Sequence, residues 1–150
     1  MKRIYLLVTV CLSLMTTQLP SLAHAGELNQ ESTAVFGDFT VHYSAFNSTF
    51  LQPKIAEAYQ LVRAKNQVLL NITVQDKNGE AIDGNIEGYA QNLMQQKKPI
   101  DFKTIKEQYA VYSIGSLRIT NEEVFNFVIN IAPDGVEPFT LKFTRKLYVD

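Results

Sequence analysis

The sequence predicts an all-β domain: an immunoglobulin-like β-sandwich of about seven antiparallel strands, with one short helix between the first two strands. Three observations predict it. Apolar and polar residues alternate with the two-residue period of half-buried strands, most regularly over residues 68–74 and 125–131. Turn-forming clusters separate these segments about every 8–12 residues, the spacing of a sandwich or barrel. One stretch alone, residues 53–62, departs from that period and recurs at helical spacing.

The chain opens on an export signal. Lys2 and Arg3 form a basic n-region, residues 4–14 an apolar h-region, and Ala23-His24-Ala25 a small-residue cleavage site. The expected cut follows Ala25, which places the mature protein in the periplasm. An uncleaved anchor is the alternative, but a membrane span needs about 20 mainly apolar residues and Thr16, Thr17, Gln18 and Pro20 break this run. Cys11 lacks the small preceding residue that lipoprotein processing requires, because Val10 stands there. Residues 1–25 are thus read as signal peptide, 26–33 as a flexible polar lead-in and 34–150 as the folded domain.

The strands follow in order. Phe39, Val41 and Tyr43 alternate with Thr40, His42 and Ser44. Pro53 suits the first position of a helix, where its missing N–H costs nothing, and Ile55, Ala58, Tyr59 and Val62 form the apolar stripe expected to cover the core. Val68, Leu70, Ile72 and Val74 make the inner face of the next strand, and Asn78-Gly79 signals a hairpin. Residues 82–84 read as a second bend and 85–93 as a weaker strand, since Gly88 and Ala90 share a face. A polar break at 95–99 precedes strands at 100–105 and 109–117, with Gly115 marking a bulge. Phe125, Phe127, Ile129 and Ile131 line one face of the strand at 124–131. After Pro133-Asp134-Gly135, the last strand turns Phe139, Leu141 and Phe143 inward, with Arg145 in the same register at the edge of the core, its stem packed and its head in water.

Composition excludes most chemistry. Cleavage removes the single cysteine and one of two histidines, leaving His42 and no tryptophan. Loss of Lys2 and Arg3 leaves twelve basic against fifteen acidic side chains, a net charge of about −3. Nucleic-acid binding needs a basic footprint and is not expected. Zinc wants three or four Cys, His or carboxylate ligands, and copper trafficking wants Met and His clusters; Met94 is the lone mature methionine. No metal or other cofactor is expected. Asp76, Asn78 and Glu80 have calcium-like spacing, but a turn explains them more simply. The Asn47 and Asn71 glycosylation sequons read as coincidence.

The densest segment is residues 36–53, from Phe36-Gly37-Asp38 through His42-Tyr43-Ser44-Ala45-Phe46-Asn47-Ser48-Thr49-Phe50-Leu51 to Pro53. Together with Ala58-Tyr59, Asn71-Ile72-Thr73-Val74 and Asn92-Leu93 it resembles a family of bacterial exported proteins catalogued as domain of unknown function 4426. The resemblance covers essentially the whole mature chain and implies export and an immunoglobulin-like sandwich. It implies no activity, substrate or catalytic residue. The segment Asp76 to Gly84 also resembles a bend common in bacterial immunoglobulin-like modules.

A Ser-His-Asp device would use His42 with Asp38 and Ser44. On one strand those positions place side chains roughly 13 Å and 7 Å apart, too far for the Asp–His pair. The function expected is therefore a non-enzymatic binding or accessory module of the cell envelope, monomeric, meeting an envelope protein or other periplasmic ligand. Its candidate surface is His42, Tyr43, Phe46, Asn47, Thr49 and Phe50, with no catalytic residue. An envelope hydrolase using His42 is the alternative. A structural or assembly subunit is the third reading, disfavoured because residues 138–149 supply a final strand of the chain's own.

Overall fold

A computed structural model describes residues 32–149. The expected signal peptide, most of the expected lead-in and Asp150 lie outside the described residues. Among the described residues, nine strands form two antiparallel sheets. They are β1 (Ser32–Phe36), β2 (Phe39–Asn47), β3 (Gln67–Gln75), β4 (Gly84–Asn92), β5 (Lys97–Ile100), β6 (Phe102–Lys106), β7 (Val111–Arg118), β8 (Glu123–Pro133) and β9 (Phe139–Leu147). The five-stranded sheet has the order β1-β2-β3-β7-β6 and the four-stranded sheet β5-β4-β8-β9. A 3₁₀ turn, Ser48–Phe50, and a short α-helix, α1 (Pro53–Ala58), connect β2 to β3.

The apolar alternation places the core between the sheets. Val41, Val68, Leu70, Ile72 and Val74 face it from one sheet; Ala90, Phe125, Phe127, Ile129, Ile131 and Leu141 face it from the other. Phe127 and Phe143 stack with centroids 4.6 Å apart, and the Tyr43 ring lies 4.6 Å from that of Phe143. Rings at such spacing stabilise beyond their buried area.

Several local expectations change. Two strands join the expected seven: β1, and β5 at the polar break. β5 is an edge strand, so Pro99 removes no needed hydrogen bond within it. The expected strand at 100–105 is divided between sheets: Ile100 ends β5, Phe102 begins β6, and exposed Asp101 is the crossing point. Asn78-Gly79 does turn the chain back on itself, with Gln75 opposite Ala81 and Ile82 N–H donating to Val74 O at 2.9 Å, but the pairing stops there and β3 and β4 enter different sheets. Only Gly79 takes a positive φ there, and Asp76 Oδ1 accepts from the Asn78 and Glu80 N–H groups instead. Gly115 marks no bulge; β7 keeps its register through it. A Cβ there would collide with Ile100 Cγ2 and lie 2.9 Å from Phe102 Cε1, so close approach of β5 and β6 requires the glycine.

Helix α1 also turns differently from its expected stripe. It ends at Ala58, where Gln60 takes φ 55 and Leu61 N–H closes back on Ala56 O at 2.7 Å. Val62 therefore falls beyond it. Ala56 is the buried helical residue, while Ile55 and Val62 are 44% and 59% exposed.

Candidate functional site

Residues 48–66 form a flap that is pinned at several points. Ser48, fully buried, donates its hydroxyl to Ala64 O at 3.1 Å and accepts from Ala64 N–H at 2.9 Å. The Arg63 guanidinium donates to Thr49 O at 2.9 Å. Lys103 Nζ on β6 donates to Tyr59 O at 2.7 Å, and the Tyr59 hydroxyl donates to Glu107 Oε1 at 2.7 Å. That hydrogen bond, and then the Glu107 charge, raise the Tyr59 phenol above its usual range. The helix thus reaches β6 while the flap's two ends are clamped together.

Beside the flap runs the outer face of β2 and β3. His42 sits on it, opposite Thr33 of β1 and Thr73 of β3. Its Nε2 lies 3.1 Å from Gln75 Oε1, a distance at which an Nε2–H donates, and Nδ1 lies 3.4 Å from Thr33 Oγ1. Phe46 shares that side of β2 and is opposite Leu69, which is fully buried although it faces away from the main core. Asn71, opposite Ser44, keeps a buried side-chain oxygen with no hydrogen-bond partner.

The six residues singled out from the sequence therefore divide. His42 and Phe46 share the outer face of β2. Thr49 and Phe50 lie on the 3₁₀ turn, with Phe50 45% exposed. Asn47 ends β2 and precedes that turn without a side-chain cap bond. Tyr43 points the other way, into the sheet interface against Phe143. Ser48 was missed, although it lies inside the quoted segment. Its smallness and hydroxyl were the available signal, and only a long-range partner gives them meaning.

A second polar cluster lies at the end of the domain near Gln67 and Arg118. Glu123, at the start of β8, accepts from Asn92 Nδ2, Thr120 N–H and Thr120 Oγ1–H, each at 3.0 Å, and meets Lys98 Nζ at 3.4 Å. Burial works to raise this carboxyl. The Thr120 N–H, the Asn92 amide, the Thr120 hydroxyl and the Lys98 charge outweigh it and hold it at about 2. At the opposite end Asp83 pairs with Lys106, whose hydrogen bond lowers the Asp83 carboxyl. Arg145 takes the inward register expected of it, across from Phe125, but its head is part-buried rather than in water. Nη2 donates to Ser32 Oγ at 3.1 Å, while Nε is buried without a partner.

Fold and surface together define a small all-β, two-sheet domain that carries an ordered flap over one sheet. The chain belongs to the DUF4426 family: the model of that domain of unknown function matches residues 33–150. The chain is similar to a DUF4426 family protein of Pseudomonas aeruginosa PAO1, with 33% identity, a TM-score of 0.75, and coverage of 80% of this chain and 96% of that one. FetP of uropathogenic Escherichia coli strain F11 has a similar fold, with 13% identity, a TM-score of 0.61, and coverage of 83% and 99%. A copper-bound variant of the same FetP gives 14% identity, a TM-score of 0.60, and coverage of 81% and 97%. No curated protein matches the chain.

Proposed function

We propose that this protein is an exported, non-enzymatic binding or accessory module of the cell envelope, which meets its ligand through the flap and the adjoining outer face of β2. The observation that carries this reading is the exposure of Phe50, Ile55 and Val62, at 45%, 44% and 59%, on a segment held in place by the Ser48–Ala64 and Tyr59–Glu107 bonds. Ordering a segment costs conformational entropy, and apolar side chains turned outward from it recover nothing until something covers them. Phe46 and Asn47 lead into the same segment, Thr49 lies on it, and His42 lies further along the outer face of β2; these residues would orient a ligand.

The strand order supports an immunoglobulin-like arrangement. Setting β1 aside, β2-β3-β7-β6 and β9-β8-β4-β5 correspond to an A-B-E-D sheet facing a G-F-C sheet extended by one strand. The first 25 residues, read as a signal peptide, support export. The copper of the FetP variant is not carried over: among the described residues no three His, Cys, Asp or Glu side chains gather into a metal site.

Envelope extracts passed over the immobilised protein test this reading. Phe50→Ala and Ile55→Ser should lose the ligand that the wild type retains, with unchanged circular dichroism; undiminished retention would overturn it. The hydrolase alternative gives His42 the role of base. His42→Gln should leave any measured turnover at the wild-type level if the binding reading holds.

A further inference from the structure

Charges of opposite sign gather at the two ends of the domain. Strand register brings residues 37–38, 76–83 and 134–138 to one end. There Asp38, Asp76, Glu80, Asp83, Asp134 and Glu137 outnumber Lys77 and Lys106. Register brings residues 63–67, 92–98, 118–123 and 146–148 to the other end. There Arg63, Lys65, Lys97, Lys98, Arg118 and Lys146 outnumber Glu122 and Glu123. A chain with a formal net charge of −1 thus carries a concentrated cationic end.

Apolar side chains project from that end. Leu93 and Met94, adjacent in the β4–β5 turn, are 70% and 76% exposed, and Tyr148 is 53% exposed. The turn is rigidly built. Gln95 N–H donates to Asn92 O at 3.0 Å, Gln96 N–H to Asn92 Oδ1 at 2.9 Å, and the buried Asn92 side chain donates to Glu123 at 3.0 Å. Cations flank the tip: Lys97 Nζ lies 4.6 Å over the Tyr89 ring and Lys146 Nζ 5.2 Å over the Tyr148 ring.

We propose that this end docks the domain on the surface of an anionic phospholipid bilayer, with Leu93 and Met94 entering the interface and the acidic end turned away. Apolar side chains gain by entering the boundary between headgroups and acyl chains. Lysine stems lie along apolar surface while their ammonium groups reach the phosphates. The projecting turn suits a yielding lipid surface, and the charge asymmetry fixes the orientation. The projecting turn lies outside the flap, whose base lends Arg63 and Lys65 to the cationic end, and the proposal does not depend on the reading given for the flap.

The chain contains no tryptophan, so one introduced residue reports its own surroundings. Met94→Trp should shift its emission to the blue on phosphatidylglycerol vesicles and be quenched by spin-labelled lipid. It should not respond to phosphatidylcholine vesicles. Val136→Trp, at the acidic end, should respond to neither. Adding Lys97→Gln and Arg118→Gln to Met94→Trp should weaken vesicle affinity roughly 25-fold, about five-fold for each cation removed. An unshifted Met94→Trp on phosphatidylglycerol, an equal shift at Val136→Trp, or a shift indifferent to lipid charge would overturn the proposal. An acidic protein that binds this end while vesicles leave Met94→Trp unchanged would overturn it as well.

Discussion

Ser48 and Ala64 exchange two hydrogen bonds across 16 residues, the Ser48 hydroxyl donating to one backbone group of Ala64 and accepting from the other. A fully buried side chain thus closes the flap onto its own base. The exposed apolar residues between these two points are therefore held in position.

Ser48→Ala should uncouple the flap. It leaves the Ala64 N–H and C=O without their buried partner, at a cost of about 1–3 kcal/mol. Urea titration should show that loss. Amide exchange should show faster protons across 49–64 than across β8.

Glu123 should make stability depend on acid. Its folded pKa of about 2 lies below the ordinary value of 4.5. A lowered carboxyl contributes stability that is fully present above about 4.5 and is lost as pH falls toward 2. Urea midpoints measured down this range should fall more steeply for the wild type than for Glu123→Gln. Parallel curves would show that the Asn92 and Thr120 hydrogen bonds do not hold the charge.

Gly115→Ala should destabilise through overpacking rather than through backbone conformation. The added methyl meets Ile100 and Phe102, and forced repacking of that kind costs about 1–3 kcal/mol. Ile100→Leu in the same chain, which lacks the Cγ2 methyl, should recover part of the loss in a thermal melt. No recovery would place the strain elsewhere.

Arg145→Met should be tolerated. The guanidinium occupies an inward register, donates to neutral Ser32 and leaves Nε buried and unpaired. A methionine keeps the packed stem and removes the buried unpaired Nε, so the urea midpoint should stay at or above that of the wild type. A large loss of stability would mean that the Ser32 bond anchors β1 to β9.

The central strands were legible because they are covered on the core side. Val68, Leu70, Ile72 and Val74 alternate in the sequence and all lie in the core, as do Phe125, Phe127, Ile129 and Ile131. Edge strands carry no such pattern. β1 is only half-buried, and β5 is Lys97-Lys98-Pro99-Ile100, which local composition presents as a polar break. The helix was legible in its place but not in its facing. Its stripe assumed a turn beyond Ala58, whereas Gln60 ends it and leaves Ala56 inward.

At the candidate surface, alternation along β2 correctly set His42 and Tyr43 on opposite faces. The partners of these residues come from elsewhere in the chain. Gln75 lies 33 residues from His42, and Glu107 lies 48 from Tyr59. No local pattern encodes pairings of that range. The cationic end was invisible for the same reason, since its six basic residues come from four separate segments.

The most direct test of the binding reading is photo-cross-linking in living cells from a reactive amino acid placed at position 50, compared with position 142 on the outer face of β9. A discrete adduct is expected from position 50, none from position 142, and loss of the adduct in Ile55→Ser. The same adducts from both positions, or none from position 50, would contradict the binding reading.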